Sequence, residues 1–184
     1  MERSRLEHIK PGNLEDDFDE IKDADWVIEA VVERIDIKHK LYSQIDKVRS
    51  TNSIISSNTS TIPLSILTQE MSDTMKADFC ITHFFNPVRF MRLLEIVETP
   101  TMNKDKMSGL RDFCQNELGK GIVNCNDTPG FIGNRIGVYA MQVAMYEALE
   151  RGLPVEIADA LFGRPLGIPK TGVFGLYDLS LIHI

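Results

Sequence analysis

Residues 82–95 read THFFNPVRFMRLLE. Two apolar runs flank an Asn-Pro pair, and each carries one ionisable residue in an apolar setting: His83 in the first, Glu95 in the second. Pro87 has no backbone N–H to give to a ladder, and Asn-Pro favours a turn. The stretch therefore reads as the end of one strand (DFCITHFF), a turn, and a second strand (RLLEIVE). A lone strand histidine is most often a satisfied structural residue. Glu95 changes that balance, because a buried carboxylate is costly unless it is paired. A carboxylate bonded to one imidazole nitrogen fixes the tautomer and raises the basicity of the other. Consecutive strands joined by a turn can hold His83 and Glu95 in that relation of base and orienter.

Upstream, WVIEAVVE supplies a strand over Trp26 to Ala30, and IDIKHKLYSQIDKVRS follows it. There Ile37, Leu41, Ile45 and Val48 recur at helical spacing and predict one buried face. SIISSN is a further strand, and TSTIPLSILTQEM turns into a short helix with Pro63 near its start. Downstream, NKDKMSGLRDFCQNELGK predicts a helix with Met107, Leu110, Phe113 and Leu118 on its apolar positions and Gly119 as its stop. GIVNCN is a fifth strand. Strands alternating with helices are the pattern of an α/β fold, a sheet covered by helices on its faces. Asp127-Thr128-Pro129-Gly130 then changes the character of the chain. FIGNRIGVYAMQVAMYEALERG is one long helix ended by Gly152, and VEIADALFG is another after Pro154. Two domains are expected, residues 1–126 and residues 127–184.

The composition fits a folded chain with a real core: 184 residues, 43% apolar and 26% charged. A net charge of −7 argues against non-specific nucleic-acid binding, which needs a basic footprint. Cys80, Cys114 and Cys125 are odd in number and lack metal-ligand spacing, which suits buried free thiols in a reducing compartment. No metal site is expected. The segment MERSRLEHIKPGN has no apolar signal-peptide core, and no apolar run approaches the ~18 residues of a membrane span.

Three polar residues sit at the ends of expected strands, where open α/β sheets hold their ligands: Ser60 in SSNTS, His83 and Glu95. SSNTS also reads as a capping loop, with Thr59, Ser60 or Thr61 capping the short helix after it. DTPGFIGNR also reads as a plain linker and helix start, although Asn134 on that first turn can offer an amide to a cleft. A Ser60–His83–Glu95 hydrolase triad is disfavoured. Gly-x-Ser-x-Gly is absent, and the residue order is not that of α/β-hydrolases.

Taken together, SSNTS, HFFNPVRFMRLLEIVETP and DTPGFIGNR resemble, in order and spacing, the L-3-hydroxyacyl-CoA dehydrogenase family. The resemblance covers roughly residues 13–179. ADWVIEAVVERIDIKHKLYSQID is similar to the family's strand, loop and helix beneath the nicotinamide half of NAD. It implies a Rossmann-type NAD-binding domain followed by an all-α domain, which supplies dimer contacts in many members. The implied reaction oxidises the 3-hydroxyl of an acyl-CoA to a ketone while NAD is reduced, a step of fatty-acid β-oxidation. By the same resemblance His83 is the base and Glu95 its partner. Ser60 bonds the substrate oxygen, and Asn134 helps position substrate and histidine. Glu33 and Lys38 form a cofactor-side pair, Ala30 and Val31 approach NAD through backbone, and Asn58 lies near the nicotinamide ribose.

Arg89 stands where many members have Pro. In this it resembles a branch fused to an enoyl-CoA hydratase module, as GRPLGIPKTGVFGLYDL also does. No Gly-x-Gly-x-x-Gly turn occurs in the 184 residues, and SLIHI does not resemble the family. The expectation is thus a partial Rossmann-type domain and the beginning of the α domain: a fragment, inactive alone, of a homodimeric enzyme. A cytoplasmic bacterial setting fits, and a mitochondrial or peroxisomal one is also compatible. Competing readings are a non-catalytic interaction protein on the same fold and a dehydrogenase of free hydroxy acids.

Overall fold

A computed structural model describes residues 3–167 and 171–181, with side chains described for residues 6–167 and 171–178. After two short 3-10 turns, Arg3–His8 and Phe18–Asp23, the elements are β1 (Trp26–Glu29), α1 (Ile35–Val48), β2 (Ile54–Ser57), α2 (Leu64–Leu67), α3 (Asp73–Ala77), β3 (Phe79–Phe84), β4 (Leu93–Glu98), α4 (Lys104–Asn116) and β5 (Gly121–Asn124). Then come α5 (Gly133–Glu150), α6 (Val155–Leu161) and α7 (Gly172–Leu181). The expected α/β class is observed. The last residues of SLIHI, 182–184, lie outside the described residues.

The strands form one sheet in the order β1-β2-β3-β4-β5. β1, β2 and β3 run parallel, β4 is antiparallel to β3, and β5 is parallel to β4. Because strand side chains alternate, Phe79, Ile81 and His83 share one face of β3, and Glu95 and Val97 share that face of β4. It is covered by α1, α2 and α3 around Leu41, Tyr42, Ile45, Leu67, Met75 and Phe131. Cys80, Leu94 and Ile96 face the other side, against Met107, Leu110 and Cys114 of α4. The cysteines are free, and burial pushes the Cys114 thiol up to about 11.

Three expectations need correction. On α1, Leu41 and Ile45 are buried as expected, but Ile37 and Val48 are only half-buried, and Lys38 and Tyr42 complete the buried face. A lysine displaces an isoleucine there because two carboxylates neutralise it. α3 was not expected; it has five residues, too few for a periodic signal, and only the Ser72 side chain accepting from Met75 N–H marks its start. Finally, α2 is not capped by Thr59, Ser60 or Thr61. Its first N–H groups, on Leu64 and Ser65, donate to the Asp127 carboxylate.

That distant cap explains an acidic residue in the NDTPG segment. Replacing Asp127 by Ala strands two N–H donors and is expected to cost about 0.5–2 kcal/mol. The check is the thermal midpoint, with Asp127→Asn, which keeps an oxygen acceptor, falling between wild type and Ala.

By its internal contacts the chain divides into two units between Phe131 and Ile132. In the second, α5 packs with α6 and α7, and the Asp159 carboxylate accepts from the N–H groups of Phe174 and Gly175 at the start of α7. Among the described residues, no helix is long and apolar enough to cross a membrane.

Candidate active site

The β3–β4 register sets His83 directly opposite Glu95. His83 Nδ1 lies 2.8 Å from Glu95 Oε2, with the histidine 4% exposed and the glutamate 0%. Facing an ionised carboxylate, which only accepts, Nδ1 would be the donor and Nε2 the basic nitrogen. The ring is wedged by Phe85 and Phe131, at centroid distances of 4.5 and 5.5 Å. Packing and the hydrogen bond together fix the imidazole.

The turn between the two strands is held by a residue the sequence did not single out. Lys120, nearly buried, donates to the carbonyls of Val88 and Met91 and lies 5.7 Å from the Phe84 ring centroid. A lysine after a helix-ending glycine carries no signal for such a distant role.

At the carboxyl ends of β1 and β2 lies a second polar group. The Glu33 carboxylate accepts from the Thr59 hydroxyl, from Ser60 N–H at 3.2 Å and from the Thr61 hydroxyl at 3.2 Å. Its other oxygen is 3.2 Å from Lys38 Nζ. Burial opposes ionisation of Glu33, but the Thr59 hydroxyl, the Lys38 charge and the Ser60 N–H outweigh it and hold the carboxyl below its ordinary range. With a depressed folded value, its contribution is present above the unfolded value and lost as pH falls through the folded one. The link between the Glu33 and Ser60 loops therefore persists at neutral pH. Asn58 Oδ1 accepts from Phe84 N–H at 2.9 Å, which ties the end of β2 to the strand of His83.

The structure thus places Ala30, Val31, Glu33, Asn58 and Ser60 in the segments after β1 and β2, with Lys38 on the first turn of α1, and pairs His83 with Glu95. Asn134 lies on the first turn of α5 in the second unit. Sequence reasoning missed Glu29. It is 3% exposed and accepts from Lys38, Tyr42, Ser57 and the backbone of Val31. A glutamate ending an apolar strand was its one visible signal. Among the described residues, no group of three or more His, Cys, Asp or Glu is placed to hold a metal ion.

Over residues 1–128 the sequence matches the family model described as 3-hydroxyacyl-CoA dehydrogenase, NAD binding domain. The chain belongs to the 3-hydroxyacyl-CoA dehydrogenase family. A Deinococcus radiodurans protein named as a probable 3-hydroxyacyl-CoA dehydrogenase is 40% identical over 100% of this chain and 53% of its own length. A Rickettsia prowazekii protein named for a fatty acid oxidation complex trifunctional enzyme is 43% identical over 95% of this chain and 24% of its own. The crystal structure of (S)-3-hydroxybutyryl-CoA dehydrogenase from Ralstonia eutropha superposes with a TM-score of 0.74 at 32% identity, covering 89% of this chain and 56% of that one. The chain therefore spans from about a quarter to about half of the curated relatives it matches.

The family match implies NAD, and polar residues at the strand ends are placed to meet such a ligand. The Glu33 side chain is 38% exposed, and Ala30 is an exposed residue. Both lie at the carboxyl ends of parallel strands, where such sheets hold dinucleotides. Lys38 fits as support beneath Glu33, because its own side chain is only 1% exposed.

Proposed function

We propose that the full-length protein carrying this chain oxidises the 3-hydroxyl of an L-3-hydroxyacyl-CoA to the 3-ketone with NAD, in fatty-acid β-oxidation. The observation that carries the proposal is the buried His83–Glu95 pair, with Nδ1 2.8 Å from the carboxylate oxygen. Bound NAD would supply the acceptor for the hydride that leaves C3. His83 Nε2 takes the hydroxyl proton, and Glu95 stabilises the imidazolium that forms. Ser60 donates to the oxygen as negative charge develops on it. Ala30 and Val31 through backbone, Glu33 with Lys38 behind it, and Asn58 would hold the cofactor. The test is NADH consumption with acetoacetyl-CoA by the full-length protein. Turnover that requires His83 supports the reading; no turnover, or turnover indifferent to His83, overturns it. The trifunctional naming of the Rickettsia relative and the Arg89 signature favour a fused enoyl-CoA hydratase module, tested by hydration of an enoyl-CoA. The bacterial relatives favour a cytoplasmic setting.

The proposal includes a homodimer. Ile136, Tyr139, Val143 and Tyr146 are exposed on α5 at spacings of three and four residues, the spacing of a helix-packing seam. Val143→Asp is expected to convert a dimer to a monomer in light scattering. A dimer of unchanged stability would remove α5 from the interface.

A further inference from the structure

Glu29 is a buried carboxylate that the proposed chemistry does not use. Each oxygen accepts two hydrogen bonds. Oε1 takes Val31 N–H and Lys38 Nζ, both at 2.7 Å, and Oε2 takes the Tyr42 hydroxyl at 2.6 Å and the Ser57 hydroxyl at 2.7 Å. A carboxylate has about four lone-pair sites, and at Glu29 all are filled by donors. Burial and the neighbouring Glu29 carboxylate push the Tyr42 hydroxyl well above its ordinary range, which keeps it a donor.

Stability alone does not call for this arrangement. Apolar residues of similar volume often replace a buried ion pair at no loss. What the network does is fix backbone. In a trans peptide the C=O and N–H point in opposite directions. With Val31 N–H bonded to Glu29, the Ala30 carbonyl of the same peptide points away from the buried carboxylate. Lys38 extends the hold: besides Glu29 it reaches Val31 O at 3.4 Å and Glu33 Oε2 at 3.2 Å. Glu33 in turn grips Thr59, Ser60 and Thr61. A continuous chain of contacts thus runs from Glu29 through Lys38 and Glu33 to the Ser60 loop.

We infer that Glu29 is a positioning residue for dinucleotide binding, which sets residues 30–33 and the Ser60 loop in one fixed relation. This rests on the reading of residues 30–33 as the cofactor side. Glutamine at position 29 keeps the shape but sets an amide N–H₂ against one pair of donors.

The test is NADH binding by fluorescence titration of the full-length protein, well below the thermal midpoint of each variant. Glu29→Gln is expected to raise the Kd for NADH by a factor on the order of 10, as loss of one charge-assisted bond predicts. The His83→Gln variant is expected to bind NADH as wild type does. A Tyr42→Phe/Ser57→Ala double variant strips Oε2 of its donors and is expected to weaken binding by a smaller factor. It carries the test if Glu29→Gln does not fold. Wild-type NADH affinity in folded Glu29→Gln, or in the double variant where Glu29→Gln fails to fold, overturns the inference and leaves the proposed reaction standing. A wild-type protein that does not bind NADH overturns both.

Discussion

Replacing His83 by Gln is expected to lower kcat of the full-length protein by a factor on the order of 10² to 10⁴. Gln occupies a similar volume, and its amide can still donate to the Glu95 carboxylate, so the buried anion keeps a partner and the sheet keeps its register. The basic nitrogen is lost. Without it the hydroxyl proton has no acceptor when the hydride leaves C3, and the whole loss falls on the chemical step. NADH affinity, which the proposed reading sets at the ends of β1 and β2, is expected to hold within about threefold. Steady-state rates and NADH titration on one preparation separate the two effects. An unchanged kcat would remove His83 from the role of base. A parallel loss of NADH affinity would mean that the substitution disturbed the sheet rather than the base alone.

Much of this geometry was legible in the sequence because its causes are local. Asn86-Pro87 forces a turn, so DFCITHFF and RLLEIVE had to become neighbouring strands, and Glu95 stood out as a charge within an apolar run. Gly119 marked the end of α4, and it does adopt a positive φ of 65°. The features that escaped depend on residues far apart in the chain. The resemblance named Lys38 with Glu33, but its burial on α1 was not foreseen; only Glu29 on β1 and Glu33 in the next loop make that burial tolerable. Asp127 caps a helix 62 to 63 residues upstream, and no capping rule looks that far. Lys120 holds a turn about 30 residues before it. In each case a polar side chain satisfies backbone or charge across the fold, a relation that neither periodicity nor local turn chemistry encodes.

The second large effect is expected at Glu95, where two substitutions should separate in opposite ways. Glu95→Gln is nearly isosteric, so it is expected to cost little stability. Its amide, however, can present N–H to Nδ1 of His83, which then accepts and leaves the proton on Nε2. That is the wrong tautomer for a base, and the negative charge facing the imidazolium is gone as well. The expected loss in kcat is on the order of 10² to 10⁴. Glu95→Ala leaves a hole and strands a buried N–H donor, at a cost of about 1–3 kcal/mol, but does not impose the wrong tautomer. It should therefore unfold at lower temperature than Glu95→Gln while losing no more activity per folded molecule. Because the two residues act as one unit, the His83→Gln/Glu95→Gln double variant should be no slower than His83→Gln alone. Rates that fall multiplicatively would show Glu95 acting independently of the histidine. A kcat within about threefold of wild type in Glu95→Gln would reduce the buried pair to a structural contact between β3 and β4.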